Sequence, residues 1–120
     1  MSERNLTLLT DLYELTMMQG YFHAKDANET VIFDAFYRTN PEGNGFAITA
    51  GLEQVVEYIE NLHFDKEDID YLRTTGLFGE DFLEYLSTFK FTGDIYAIPE
   101  GTVVFPREPL VKVIAPIMQA

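Results

Sequence analysis

Apolar residues recur at helical spacing in three stretches of this chain and alternate or cluster as strands in several others. The clearest helix opens at Gly51, where Leu52, Val55, Val56, Ile59 and Leu62 fall on one face and Glu53, Glu57 and Glu60 on the other. Asp65 with Asp68 predicts a short helix carrying Ile69 and Leu72 and ending near Gly76, and Glu80 to Phe89 predicts another that packs Phe82, Leu86 and Phe89. A fourth begins at Thr10 or Asp11 and runs to about Phe22. Glu14, three residues past Asp11, gives that start a capping-box-like pattern. Its apolar residues (Leu12, Tyr13, Leu15, Met17, Met18) spread too far round the helix for one core face. Such a helix must bury two sides, and the second is expected to meet another subunit or a ligand.

Between the helices the pattern changes to β-branched and aromatic residues. Thr30 to Arg38 predicts a strand, the Asn40-Pro41-Glu42-Gly43-Asn44-Gly45 run a turn, and Phe46 to Thr49 a returning strand, as a hairpin or two neighbouring strands. Gly93 breaks the last helix and Asp94 to Ile98 reads as strand. Val103 to Phe105 and Leu110 to Ile114, either side of a Pro-bounded turn, read as paired strands. Pro116 to Ala120 resembles the first turn of a helix, so the chain is expected to be one domain (1–115) with the start of a helix (116–120) that leads onward. The fold class expected is α+β, a small, mostly antiparallel sheet with packed helices.

With 120 residues, 47% hydrophobic and 14% aromatic, one domain with a real core is expected. Twenty acids against eight bases give a net charge of −12, which argues against nucleic acid or an anionic membrane as partner. The absence of cysteine excludes disulfides and thiolate metal sites. The opening Met1-Ser2-Glu3-Arg4-Asn5 lacks the layout of a signal peptide, and no apolar run approaches membrane-spanning length, so a soluble, cytoplasmic domain is expected. The sequons at Asn5 and Asn28 are then read as chance matches.

No complete catalytic constellation is visible. His23 and His63 lie far apart near helix ends, where capping or exposure is favoured over metal or acid–base work. Gly43-Asn44-Gly45 lacks the Lys-Ser/Thr of a phosphate loop. Asp34 and Arg38 share strand parity about 13 Å apart, either as a solvent-facing pair on an edge strand or with Arg38 reaching an interface site. Tyr13 is either a core aromatic or a ring presented at an interface to stack on a flat ligand.

The string Leu8-Leu9-Thr10-Asp11-Leu12-Tyr13-Glu14-Leu15-Thr16-Met17 closely resembles the opening motif of nicotinate phosphoribosyltransferases. The resemblance continues through Phe33 to Arg38 with Pro41, Gly45 to Ile48, Ala50 to Leu52, Tyr71-Leu72, and Phe82-Leu83 with Leu86. It ends in Pro99 to Phe105 with Glu108-Pro109-Leu110. It implies the amino-terminal α+β domain of a longer type II phosphoribosyltransferase, whose α/β barrel lies outside this chain. Such enzymes act as dimers, joining nicotinate to phosphoribosyl pyrophosphate in NAD salvage, with coupled hydrolysis of ATP, Mg2+ and a transiently phosphorylated histidine. That catalytic histidine is expected beyond Ala120, and neither His23 nor His63 matches its motif. The resemblance assigns Tyr13 to the nicotinate ring, reaching toward the other subunit's site, with Asp11 and Thr16 holding the helix end. It gives Arg38 a role near the interface. The 120 residues alone are expected to be inactive. Two rival readings are a non-catalytic oligomerisation or ligand-binding module of the same fold, and a quinolinate or nicotinamide phosphoribosyltransferase.

Overall fold

A computed structural model describes residues 4–24 and 27–120, so residues 1–3 of the amino-terminal stretch read above lie outside it. The chain is α+β. Its elements are α1 (Leu12–His23), β1 (Thr30–Ala35), β2 (Ala47–Ile48), α2 (Leu52–Glu60), α3 (Lys66–Thr74), α4 (Glu80–Ser87), β3 (Asp94–Ala97), β4 (Val103–Val104) and β5 (Val111–Pro116), with one 3-10 turn at Pro41–Gly43. All strand pairing is antiparallel.

The helices sit where periodicity puts them, and the best-formed start is that of α3. The Asp65 carboxylate accepts the Asp68 N–H at 2.9 Å and the Asp68 carboxylate accepts the Asp65 N–H at 3.1 Å, a reciprocal capping box. Asn5 donates to both carboxylates, at 3.2 and 2.9 Å, and its own carbonyl oxygen accepts from the N–H and hydroxyl of buried Thr7. The sequon Asn5-Leu6-Thr7 is thus the clip that fastens the amino-terminal segment to α3.

The cap expected on α1 is different. Asp11 occupies the N-cap position, but its side chain accepts no bond, and Glu14 instead takes the hydroxyl of Thr10. A carboxylate already engaged one turn back is not free to close a box.

The core lies among α1, α3 and α4. Leu15, Phe64, Ile69, Leu72, Phe82, Leu83, Leu86 and Phe89 form one buried cluster, with Met18, Phe22 and Tyr85 against it. Phe22 packs on Phe82 and Tyr85 at centroid distances of 5.7 and 5.3 Å. One side of α1 therefore packs on helices rather than on the sheet.

Strand pairing departs most from the local reading. β5 is the central strand of a three-stranded sheet ordered β1-β5-β3, and β2 pairs with β4 in a separate two-stranded ladder. Neither expected local pair forms: β1 does not meet β2, and β4 does not meet β5. Two-residue strands such as β2 and β4 carry too little pattern to fix a partner, so tertiary closure decides. Pro116 still pairs with Thr30 as the last residue of β5, the Ile117 N–H donates to the Glu29 carbonyl, and residues 117–119 form a turn where a helix start was expected.

Gly93 lets the chain enter β3 directly beneath β5. A Cβ there would lie 2.4 Å from the Ala115 Cβ and 2.5 Å from the Ile114 carbonyl oxygen, so only glycine fits. Among the described residues, no helix is long and apolar enough to cross a membrane.

Candidate functional site

The outward side of α1 faces a cleft. Leu15 points into the core at 5% exposure, whereas Tyr13 and Met17, on the opposite side of the helix, are 59% and 49% exposed. The cleft holds about 560 Å³. One wall is α1, through Tyr13, Glu14, Met17 and Tyr21, and a second is α2, through Tyr58 and Ile59. The sheet supplies the third with Phe33, Ile95 and Val113, which share a face by register because Phe33 pairs with Val113 and Val113 with Ile95. The site is thus an apolar trough between the helical body and the sheet, edged by tyrosine hydroxyls and one carboxylate.

Its electrostatics follow from that shape. Burial, together with the nearby Glu14 carboxylate, pushes the Tyr58 hydroxyl above its usual range, so it remains a neutral donor at physiological pH. Aromatic faces beside hydroxyl groups suit a flat aromatic ring better than a phosphate, and among the described residues no Lys or Arg lines the cleft.

Tyr13 borders this cleft. Arg38 is exposed beyond the end of β1, does not line the cleft, and has no ion pair among the described residues. The strand stops at Ala35, so the parity argued for Asp34 and Arg38 does not extend to Arg38. Asp34 instead stands opposite Lys112 on β5, in the edge strand of the sheet. Neither histidine joins the cleft: His23 lies 3.8 Å from the Asp81 carboxylate, and His63 Nδ1 is 2.6 Å from the Asn61 carbonyl oxygen. No group of three or more His, Cys, Asp or Glu suited to a metal ion occurs among the described residues. Of the carboxylates near α3, Asp65 and Asp68 are committed to its cap, and Asp70 and Glu80 are engaged by Arg73.

Sequence reasoning missed Tyr21, Phe33 and Tyr58 as cleft residues. They belong to three different elements, and only the fold brings them to one place.

A family model described as the nicotinate phosphoribosyltransferase (NAPRTase) N-terminal domain matches residues 8–120. The nicotinate phosphoribosyltransferase pncB2 of Mycobacterium tuberculosis is 49% identical over 113 residues, covering 94% of this chain and 24% of that protein. The Bacillus subtilis nicotinate phosphoribosyltransferase is 41% identical over 116 residues, covering 97% of this chain and 24% of that protein. The crystal structure of human nicotinic acid phosphoribosyltransferase superposes with a TM-score of 0.80 at 32% identity, over 91% of this chain and 22% of that one. The chain spans about a quarter of the length of these relatives. It belongs to the nicotinate phosphoribosyltransferase family, as an amino-terminal domain of the α+β kind.

Proposed function

We propose that this domain is the amino-terminal part of an enzyme that joins nicotinate to phosphoribosyl pyrophosphate, giving nicotinate mononucleotide and pyrophosphate with coupled hydrolysis of ATP. The observation that carries the reading is the family match over residues 8–120. In this reading Tyr13 offers its ring and hydroxyl to nicotinate, and the enzyme is a cytoplasmic homodimer in which α1 reaches toward the partner's site. Arg38 is assigned to the same interface region. ATP, Mg2+, the phosphorylated histidine and the bases that hold phosphates are assigned to polypeptide outside these 120 residues. That division agrees with the chain's net charge of −12, which disfavours phosphate binding on this piece alone.

The test is an assay of the intact enzyme and of the 120-residue chain with phosphoribosyl pyrophosphate, ATP and, in turn, nicotinate, nicotinamide and quinolinate. The intact enzyme is expected to consume nicotinate and the chain alone none of the three. Preference for nicotinamide or quinolinate, or product formation by the chain alone, would overturn the proposal.

A further inference from the structure

Tyr13 can serve a ring-binding role only if α1 holds one rotation about its axis, and apolar contacts fix rotation poorly when they include flexible side chains such as Met18. A polar clamp supplies what they lack. Gln19, about a turn and a half beyond Tyr13, donates from Nε2 to the Leu77 carbonyl at 2.9 Å and accepts the Gly79 N–H on Oε1 at 2.8 Å. Both ends of the amide are engaged, and only this orientation satisfies a carbonyl on one side and an N–H on the other. The partners lie 58 and 60 residues away in sequence, in the loop that opens α4, whose N-cap is Gly79. The Gly79 side of the clamp therefore satisfies the N–H of an N-cap residue that has no side chain of its own to cap the helix.

We infer that Gln19 is a positioning residue for the nicotinate site: its amide locks the rotation of α1 against the α3–α4 loop and so aims Tyr13. The inference rests on the assignment of Tyr13 to nicotinate proposed above. It concerns Gln19 itself, which does not line the cleft and has no contact with substrate in this reading.

The test is a double-mutant cycle in the intact enzyme. Gln19→Met removes both bonds, and Gln19→Glu keeps the acceptor for Gly79 while setting a carboxylate against the Leu77 carbonyl. Each is expected to raise KM for nicotinate roughly three- to tenfold while KM for phosphoribosyl pyrophosphate stays within about twofold. In a Tyr13→Ala background, either substitution is expected to add nothing further to the nicotinate KM. Additive effects, or equal rises in both KM values accompanied by a lower Tm, would show general stabilisation and overturn the inference. If Tyr13→Ala leaves the nicotinate KM unchanged, the Tyr13 assignment itself falls and takes the aiming role with it. That outcome is distinguishable, because it appears in the single Tyr13 variant before any Gln19 variant is considered.

Discussion

Single side chains do sharply different work in this domain. Gly93 is needed for its missing Cβ, since any side chain would collide with Ala115 and with the backbone of β5. Gly93→Ala is expected to cost at least about 2–3 kcal/mol by overpacking, read as a lower Tm in a thermal melt. Asp65 is needed for its charge. The Asp68 N–H, and after it the Asn5 amide, hold its carboxyl below the usual carboxylate range. A depressed folded-state value means that the stabilisation is fully present above about pH 4 and is lost as pH falls through the folded value. Acid titration followed by circular dichroism is expected to show this loss in the natural chain. Asp65→Asn keeps an acceptor but cannot titrate, so it is expected to show a flatter acid limb. The Asp65–Asp68 pair was legible as a helix start, because spacing alone carries it. Asn5 was not, since its partners lie 60 and 63 residues away.

At the scale of elements, helices were legible and pairings were not. α3 and α4 announce themselves by acidic first turns and by apolar residues three and four apart. The sheet instead sets β5 between β1 and β3, joining residues such as Val31 and Ala115 that no local rule connects. α2 shows a different weakness, because it has a clear apolar stripe yet buries no residue fully. It is tied down at its start, where the Glu100 carboxylate accepts the Gly51 N–H at 2.9 Å and the Glu53 N–H at 3.4 Å. Gly51, at φ 93°, makes that turn into the helix without strain. Glu100→Ala is expected to remove hydrogen-exchange protection from residues 52–60 while α3 and α4 keep theirs. Retained protection of residues 52–60 would show that α2 is held by packing instead. The candidate site follows the same logic: Tyr13 was legible through a contiguous string, whereas Phe33 and Tyr58 reach the cleft only because the sheet and α2 are folded against α1.

The whole molecule exposes more than its mass requires. Its accessible surface is 8635 Å², against about 6600 Å² for a compact monomer of 13.7 kDa, and its radius of gyration is 16.6 Å against about 14 Å. The excess of roughly 2000 Å² on this one chain is more than the about 800 Å² that each partner contributes to a standard protein–protein interface. It is apolar where it can be seen: Leu9 on the approach to α1, Ile32 and Tyr96 on the sheet face turned away from the cleft, and Phe46, Ile48, Val103 and Phe105 around the small ladder are all exposed. The isolated chain is accordingly expected to self-associate at raised concentration, as sedimentation velocity would register. A sharp monomer peak across the whole concentration range would argue that this surface needs no cover. The helix read from sequence as apolar on too many sides belongs to the same account, with Leu15 turned to the core and Tyr13 and Met17 to the cleft. The most direct test is the Tyr13→Ala variant of the intact enzyme, with nicotinate kinetics and Tm measured on the same preparation. The account predicts a rise in KM for nicotinate corresponding to about 1–2 kcal/mol, with Tm nearly unchanged because the ring is exposed. A fallen Tm with unchanged nicotinate kinetics would contradict it, and would make the tyrosine a packing residue.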